Sequence, residues 1–241
     1  GAYPVFIDSD IDSWNMCPIL LEKAIEDCIL ENEKPKAIML VHLYGMPAKM
    51  DEIMKIAAKY DIPVIEDAAE ALGSTYKNQP LGTFGVFGVY SFNGNKIITT
   101  SGGGALFCKD KALVEKAKFL ATQARDNKPH YEHSEIGYNY RMSNVLAGIG
   151  RGQMEVLDKH IQLRRDMNQF YKELFDAVEG VIVFTEPTKD YFSNHWLSCI
   201  FIDITTAGFN REELRLHLDT DLIESKPLWK PMHSQPVCKD A

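Results

Sequence analysis

The sequence is poor in cysteine, in basic charge and in long apolar runs, and each shortage excludes a class of protein. Its five cysteines, Cys17, Cys28, Cys108, Cys199 and Cys238, are spread over 241 residues. They are odd in number and show no C-x-x-C or other ligand spacing. That excludes a disulfide-stapled miniprotein and leads to an expectation of reduced thiols in the cytoplasm. Acidic side chains outnumber basic ones 34 to 26, for a net charge of −8. Broad nucleic-acid binding needs a positive face and is not expected. A local phosphate site built from backbone N–H groups is still allowed. No uninterrupted apolar run approaches the roughly 18 residues of a spanning helix, so no membrane crossing is expected. The chain opens Gly1-Ala2-Tyr3-Pro4, without Met and without a charged region leading into an apolar signal core. The expectation is a start after processing or inside a longer protein. What is present, 45% apolar and 25% charged residues, suffices for a real core in one large domain or two unequal ones.

The first two thirds alternate short apolar runs with helical patterns, the signature of an α/β fold with a mostly parallel sheet. Strands are expected at 4–8 (PVFID), 37–43, 62–66, 88–92 and 104–108, with helices at 18–30, 50–60 and 111–124. From Ser143 the pattern becomes helical, one long helix from Val145 to about Ala177. Its charges Arg164, Arg165 and Asp166 read as a solvated face. After Glu179-Gly180 a small α/β unit is expected, with strands at 181–184, 196–203 and 222–224 and a helix at 210–218. The implied division is a large domain at 1–144, a connecting helix at 145–178 and a small domain at 179–241. No internal repeat appears.

Two strand ends carry candidate chemistry. IPVIE is followed by Asp67-Ala68-Ala69-Glu70, at the edge where open α/β sheets bind ligands. An Asp there also caps a following helix, and the fragment alone leaves the two readings even. Ser91-Phe92-Asn93-Gly94-Asn95-Lys96 ends another strand. Alone, Lys96 also fits a solvated loop. Together, an Asp and a Lys at successive strand ends, with a Ser five residues before the Lys, supply three contacts that pyridoxal phosphate needs. The lysine forms an imine, the carboxylate keeps the pyridine nitrogen protonated, and the hydroxyl helps hold the phosphate. The glycines of Gly82-Thr83-Phe84-Gly85-Val86-Phe87-Gly88 lack the dinucleotide fingerprint spacing and precede a strand. His130-x-x-His133 has no third ligand nearby, so no metal site is expected.

The runs IEDAAEALGS (65–74), GTFGVFGVYSFNGNKIITTSGGGAL (82–106), EIGYNYRMSNVLAGIGRGQM (135–154) and KPLWKPMHSQPV (226–237) resemble the DegT/DnrJ/EryC1/StrS family of pyridoxal-phosphate-dependent sugar aminotransferases. Within it, the sequence is most similar to the enzymes that aminate the UDP-4-keto-6-deoxy sugar of the bacillosamine pathway. The resemblance covers essentially the whole chain. It implies fold type I, with Lys96 as the imine-forming lysine, Asp67 as the partner of the pyridinium nitrogen and Ser91 as a phosphate contact. Glu70 stands where many members carry a Gln that reaches the cofactor's 3-oxygen. A carboxylate beside a phenolic oxygen must share a proton with it or repel it. Asn139 matches a residue that reaches the phosphate of the neighbouring subunit, which implies a homodimer. His130 and Tyr131 fall near the substrate in this family. Lys230 and His233 could face a nucleotide diphosphate or belong to a structural tail. The implied reaction is a ping-pong transfer of an amino group from glutamate to a 4-keto-6-deoxy sugar nucleotide.

The sequence departs from the family at both ends. Relatives carry an opening helix, a phosphate-binding turn and a ring-stacking aromatic before this span, and the rest of a small domain after it. Truncation at both ends is therefore expected. Two alternatives stay open: a non-catalytic remnant that binds cofactor poorly or serves as an interaction partner, and another fold-type-I enzyme such as a lyase. Dehydratase relatives replace the imine lysine with His, and Lys96 argues against them.

Overall fold

The computed structural model describes residues 2–238; residue 1 and residues 239–241, the outer ends of the two expected domains, lie outside them. Helix α1 (Pro18–Leu30) begins with proline where no N–H donor is required and turns Leu21 and Ile25 inward. Strand β1 (Ile38–Val41) alternates, burying Ile38 and Leu40. Helix α2 (Met50–Tyr60) has Asp51 and Glu52 in its first turn and Lys59 in its last, as the helix dipole favours, and it buries Met50, Ile53, Ile56 and Ala57. Strand β2 (Val64–Asp67) buries Val64 and Glu66. Next come the short strands β3 (Thr75–Tyr76) and β4 (Gln79–Pro80), then β5 (Phe87–Ser91) and β6 (Gly104–Phe107). The positive φ of Lys77 (49°) and Asn78 (64°) gives the β3–β4 hairpin its two-residue turn.

The main sheet runs β1-β2-β5-β6. Its first three strands are parallel and β6 is antiparallel at the edge. Leu21 and Ile25 of α1 and Ile53 and Ile56 of α2 pack with Ile38, Leu40 and Val64 in one apolar core. Removing one such side chain typically costs about 2–5 kcal/mol. Parallel pairing of β2 with β5 sends both strands toward the same edge, with Asp67 opposite Val89. A second cluster joins Ile97 and Ile98 to Leu157 and Ile161.

Helix α3 (Lys111–Ala121) leads to α4 (Asn144–Met154) and α5 (Leu157–Phe175). Strand β7 (Val181–Val183) pairs antiparallel with β9 (Ile200–Ile202), and β8 (Tyr191–Phe192) returns to pair with β3. Helices α6 (Ile204–Ala207) and α7 (Arg211–Thr220) follow; a reciprocal Asn210–Glu213 capping box starts α7. Among the described residues no helix is long and apolar enough to cross a membrane.

Several expected elements differ. Residues 4–8 form no strand: no neighbouring strand pairs with them, and the local order comes from a Ser9–Met16 bridge and Cys17 N–H donating to Asp8 O (2.9 Å). The long helix at 145–178 is two helices, broken at Glu155-Val156, which lets Leu157 and Ile161 turn onto Ile97 and Ile98. Helix α3 ends at Ala121 instead of 124 because the Thr122 hydroxyl donates to Lys118 O and because Gln123 and Ala124 take positive φ. The strand expected at 196–203 starts only at Ile200; Trp196 sits buried in the preceding loop. Residues 222–224 form no strand, and Leu222 has a positive φ of 59°.

Candidate active site

Parallel β2 and β5 end at Asp67 and Ser91, the carboxyl edge where ligands of such sheets bind. From Ser91 the chain turns and presents Lys96, whose N–H donates to Asn93 O (3.1 Å). Its Nζ lies 3.4 Å from Glu70 Oε1, with side chains only 12% and 5% exposed. The same Nζ stands 4.3 Å from the centre of the Trp196 ring. The other carboxylate oxygen of Glu70 accepts the Tyr44 N–H at 2.7 Å. Burial pushes the Glu70 carboxyl above its ordinary range, against the Tyr44 N–H and Lys96 and with the like charge of Asp67 adding to the rise. Asp67 Oδ1 accepts the Ala69 N–H (3.1 Å) in a turn; the next element is β3, so no helix follows for Asp67 to cap. Ser91 Oγ accepts the Asn93 N–H (3.3 Å), which leaves its own proton free to donate.

These residues fit pyridoxal phosphate by the chemistry of the set. A shielded amine stands beyond one strand end, a hydroxyl with a spare proton closes that strand, and an acid closes the adjoining one. Lys96 and Glu70 meet, while Asp67 and Ser91 end the neighbouring strands β2 and β5. Asn139 does not join them. It is exposed, bridges Thr122 through its backbone, and lines a separate groove with Gln123, His133 and Glu135. His130 is exposed and contacts Glu132 at 3.0 Å. Tyr131 is exposed under the Arg125 guanidinium, 4.1 Å from its ring centre. Lys230 and His233 are exposed, but Trp229, just before them, reaches the site. Its N–H donates to the Tyr44 hydroxyl (3.2 Å), and its ring meets those of Tyr44 and Trp196 edge-on. No group of His, Cys, Asp and Glu among the described residues could hold a metal.

Other site residues escaped the sequence reading. His42 Nδ1 accepts the Ala48 N–H (3.1 Å), which places the ring proton on Nε2, donating to Glu66 Oε2 at 3.1 Å. Glu66 also accepts the N–H groups of Gly82 (2.7 Å), Phe84 (2.7 Å) and Gly85 (2.6 Å). Burial alone would raise its carboxyl; the hydrogen bonds from His42, Gly85 and Gly82 outweigh that and hold it below the ordinary range. Here the glycine spacing of 82–88 finds its reason, since a Cβ on Gly88 would lie 1.9 Å from Gly82 O. Asn194 Nδ2 donates to Glu70 O (2.8 Å) and Leu72 O (3.0 Å), tying the loop before β9 to the site. No spacing rule reveals this, because Asn194 lies 120 or more residues from Ser74, Glu70 and Leu72.

Behind Trp196, Glu186 accepts from Arg165 Nη1 (2.5 Å) and pairs with His195 Nε2 (3.2 Å). Burial would raise its carboxyl, but His195 and Arg165 pull it down to about 2. A carboxyl depressed in the folded state adds stability above its unfolded pKa, and that contribution is lost as pH falls through the folded value. Wild type should therefore lose stability between about pH 4.5 and pH 2, and Glu186→Gln should lose less over that window. Urea midpoints taken across this range check it; parallel profiles for the two proteins would refute it.

Known proteins resemble the chain along nearly its whole length. EpsN of Bacillus subtilis (strain 168), provisionally named a pyridoxal phosphate-dependent aminotransferase, is 50% identical over 236 residues, covering 98% of this chain and 60% of EpsN. A GDP-perosamine synthase of Escherichia coli O157:H7 is 40% identical over 237 residues, covering 98% of this chain and 62% of that protein. The crystal structure of a DegT DnrJ EryC1 StrS aminotransferase from Brucella abortus superposes with a TM-score of 0.90 at 31% identity, covering 100% of this chain and 62% of that one. The chain thus spans about 60% of the length of these relatives. The fold is that of the pyridoxal-phosphate-dependent aminotransferases, and pyridoxal phosphate is the cofactor of the group. The family model matches residues 1–241, and the chain belongs to the DegT/DnrJ/EryC1/StrS aminotransferase family.

Proposed function

We propose that this chain carries the cofactor centre of an aminotransferase that moves an amino group from glutamate to a 4-keto-6-deoxy sugar nucleotide, a UDP-linked N-acetyl sugar, in two half-reactions. The observation that carries this reading is the shielded Lys96 amine, 3.4 Å from Glu70, at the strand edge closed by Asp67 and Ser91. The nucleotide-sugar class is supported by the likeness to the GDP-perosamine synthase. UDP as the carrier and the N-acetyl group rest on the sequence resemblance.

When bound, pyridoxal phosphate supplies an electron sink conjugated to the amino group in transit. Lys96 Nζ then serves as the base that moves a proton to and from the substrate carbon bearing that amino group. The Asp67 carboxylate holds a proton on the ring nitrogen. The Ser91 hydroxyl donates to the phosphate. Glu70 offers a carboxyl that shares one proton with a neighbouring oxygen or amine. The buried Trp196 ring covers one side of the amine, and the buried Tyr44 ring packs against it. Asn139, exposed on its own groove, completes the site of a second copy in a homodimer. The division at 144 and 178 is kept as part of this reading, with β8 and Asn194 reaching back from the small domain to the large one.

The test is spectroscopic. Added pyridoxal phosphate should give an absorbance band, and borohydride followed by peptide mapping should find the label on Lys96. Glutamate should then bleach the band. A label on other lysines would sink the assignment. A band on Lys96 that glutamate leaves unchanged would instead favour a cofactor-binding chain without transfer, or another fold-type-I enzyme such as a lyase.

A further inference from the structure

The surroundings of Lys96 contain a partner that neither the sequence motifs nor the relatives' names assign. Trp196 is 2% exposed. Its Nε1–H donates to Asn95 O (2.7 Å), the carbonyl immediately before Lys96, and its ring centre stands 4.3 Å from Lys96 Nζ. Its own N–H donates to Asn194 Oδ1 (2.9 Å), while Asn194 Nδ2 holds the carbonyls of Glu70 and Leu72. The indole is thus fixed at both ends, to the loop bearing Lys96 and to the segment bearing Glu70. An ammonium over an indole face is attracted by the ring quadrupole, and the attraction grows when water is excluded.

We propose that Trp196 is a positioning residue for Lys96, forming with Glu70 a two-part clamp that holds the amine as a bound ammonium until a ligand displaces it. The clamp stands on the geometry alone; its consequence for cofactor capture rests on the function proposed for Lys96. The remaining titratable groups around the clamp are Asp67, Tyr44 and Cys199. Burial pushes both Tyr44 and Cys199 up to about 12, which keeps them neutral near pH 7.

Acetic anhydride tests the clamp without cofactor. The ammonium gives one proton to solvent, Nζ bonds to the acyl carbon as acetate leaves, and the acylated nitrogen then gives a second proton to solvent to become the neutral amide. Labelling of Lys96 is read by mass spectrometry at fixed pH against Lys111, whose side chain is 90% exposed. The chain is prepared with tryptophan, then with mono-, di- and trifluorotryptophan, which keep the ring's shape and drain its face of charge. The rate at Lys96 should climb with each fluorine, by about two- to tenfold over the series. Glu70→Gln should raise it as well. A purely structural tryptophan would give a flat series, and a flat series overturns the clamp. Borohydride trapping of pyridoxal phosphate, run in parallel, separates the two readings. A graded series without label on Lys96 keeps the clamp and sinks the assigned function. A label on Lys96 with a flat series does the reverse.

Discussion

Glu66→Ala is expected to destabilise the fold by about 3–5 kcal/mol, the cost of leaving the partners of a buried carboxylate without it. Four donors converge on Glu66: His42 Nε2 and the N–H groups of Gly82, Phe84 and Gly85. All four lose their acceptor together, in a place where His42 and Glu66 are fully buried and water does not reach. Glu66→Gln should cost less, since the amide oxygen still accepts, but its NH₂ points at donors and the loss should remain about 1–3 kcal/mol. His42→Ala removes one donor of four and should cost less than Glu66→Ala. The effect should also reach the site. The turn held by Glu66 leads into β5, which ends at Ser91, so the weakened variants should bind pyridoxal phosphate less tightly even when folded. Urea unfolding followed by circular dichroism measures the first effect and cofactor titration the second. A Glu66→Ala midpoint equal to that of wild type would contradict this account.

The order of elements was legible where local chemistry decides it. Helices 18–30 and 50–60 begin and end as expected, because Pro18 and the charges of α2 mark them. The parallel sheet followed from alternating strands and helices, and Asp67 and Ser91 close β2 and β5 at the edge where ligands of such sheets bind. What stayed hidden depends on distant contacts. Residues 4–8 look like a strand, yet a strand exists only where a neighbour pairs with it. The break at Glu155-Val156 has no proline or glycine to announce it; burial of Leu157 and Ile161 imposes it. Trp196 looked like the first residue of a strand, and its role comes from Lys96, a hundred residues earlier.

Glu66 shows the same limit within a motif that was noticed. The run Glu66-Asp67 alternates across the sheet, so the two acids serve opposite purposes. Asp67 closes the strand at the ligand edge, while Glu66 points into the protein and collects backbone donors. No rule of spacing assigns which acid does which. The glycine run at 82–88 lacks the spacing of a dinucleotide motif and precedes a strand. A Cβ at Gly82, Gly85 or Gly88 would meet Tyr90, Val64 O or Gly82 O, so these glycines let the turn that donates to Glu66 pack against β2 and β5.

Lys96→Ala and Lys96→Arg should separate two things that one side chain does. Under the proposed function, Nζ must be able to lose a proton, because it bonds to a carbonyl carbon and then moves a proton on the substrate. An alanine supplies neither and should lower amine transfer in the intact protein by about 10²–10⁴-fold from the missing base alone. An arginine restores the charge toward Glu70 and Trp196 but cannot release its proton in this pH range, so it should be as inactive as alanine. The two should differ in rescue. Alanine leaves the space of a lysine chain beside Glu70, and added methylamine should recover part of the rate, rising with pH as free amine accumulates. Arginine fills that space, and methylamine should do nothing. Folding should be intact in both, since Lys96 belongs to neither apolar cluster of the core. Single-turnover absorbance with glutamate, with and without methylamine, reads all four cases. Activity retained in Lys96→Arg would show that the charge of residue 96 matters and its proton does not, and would remove the central residue of the proposed mechanism.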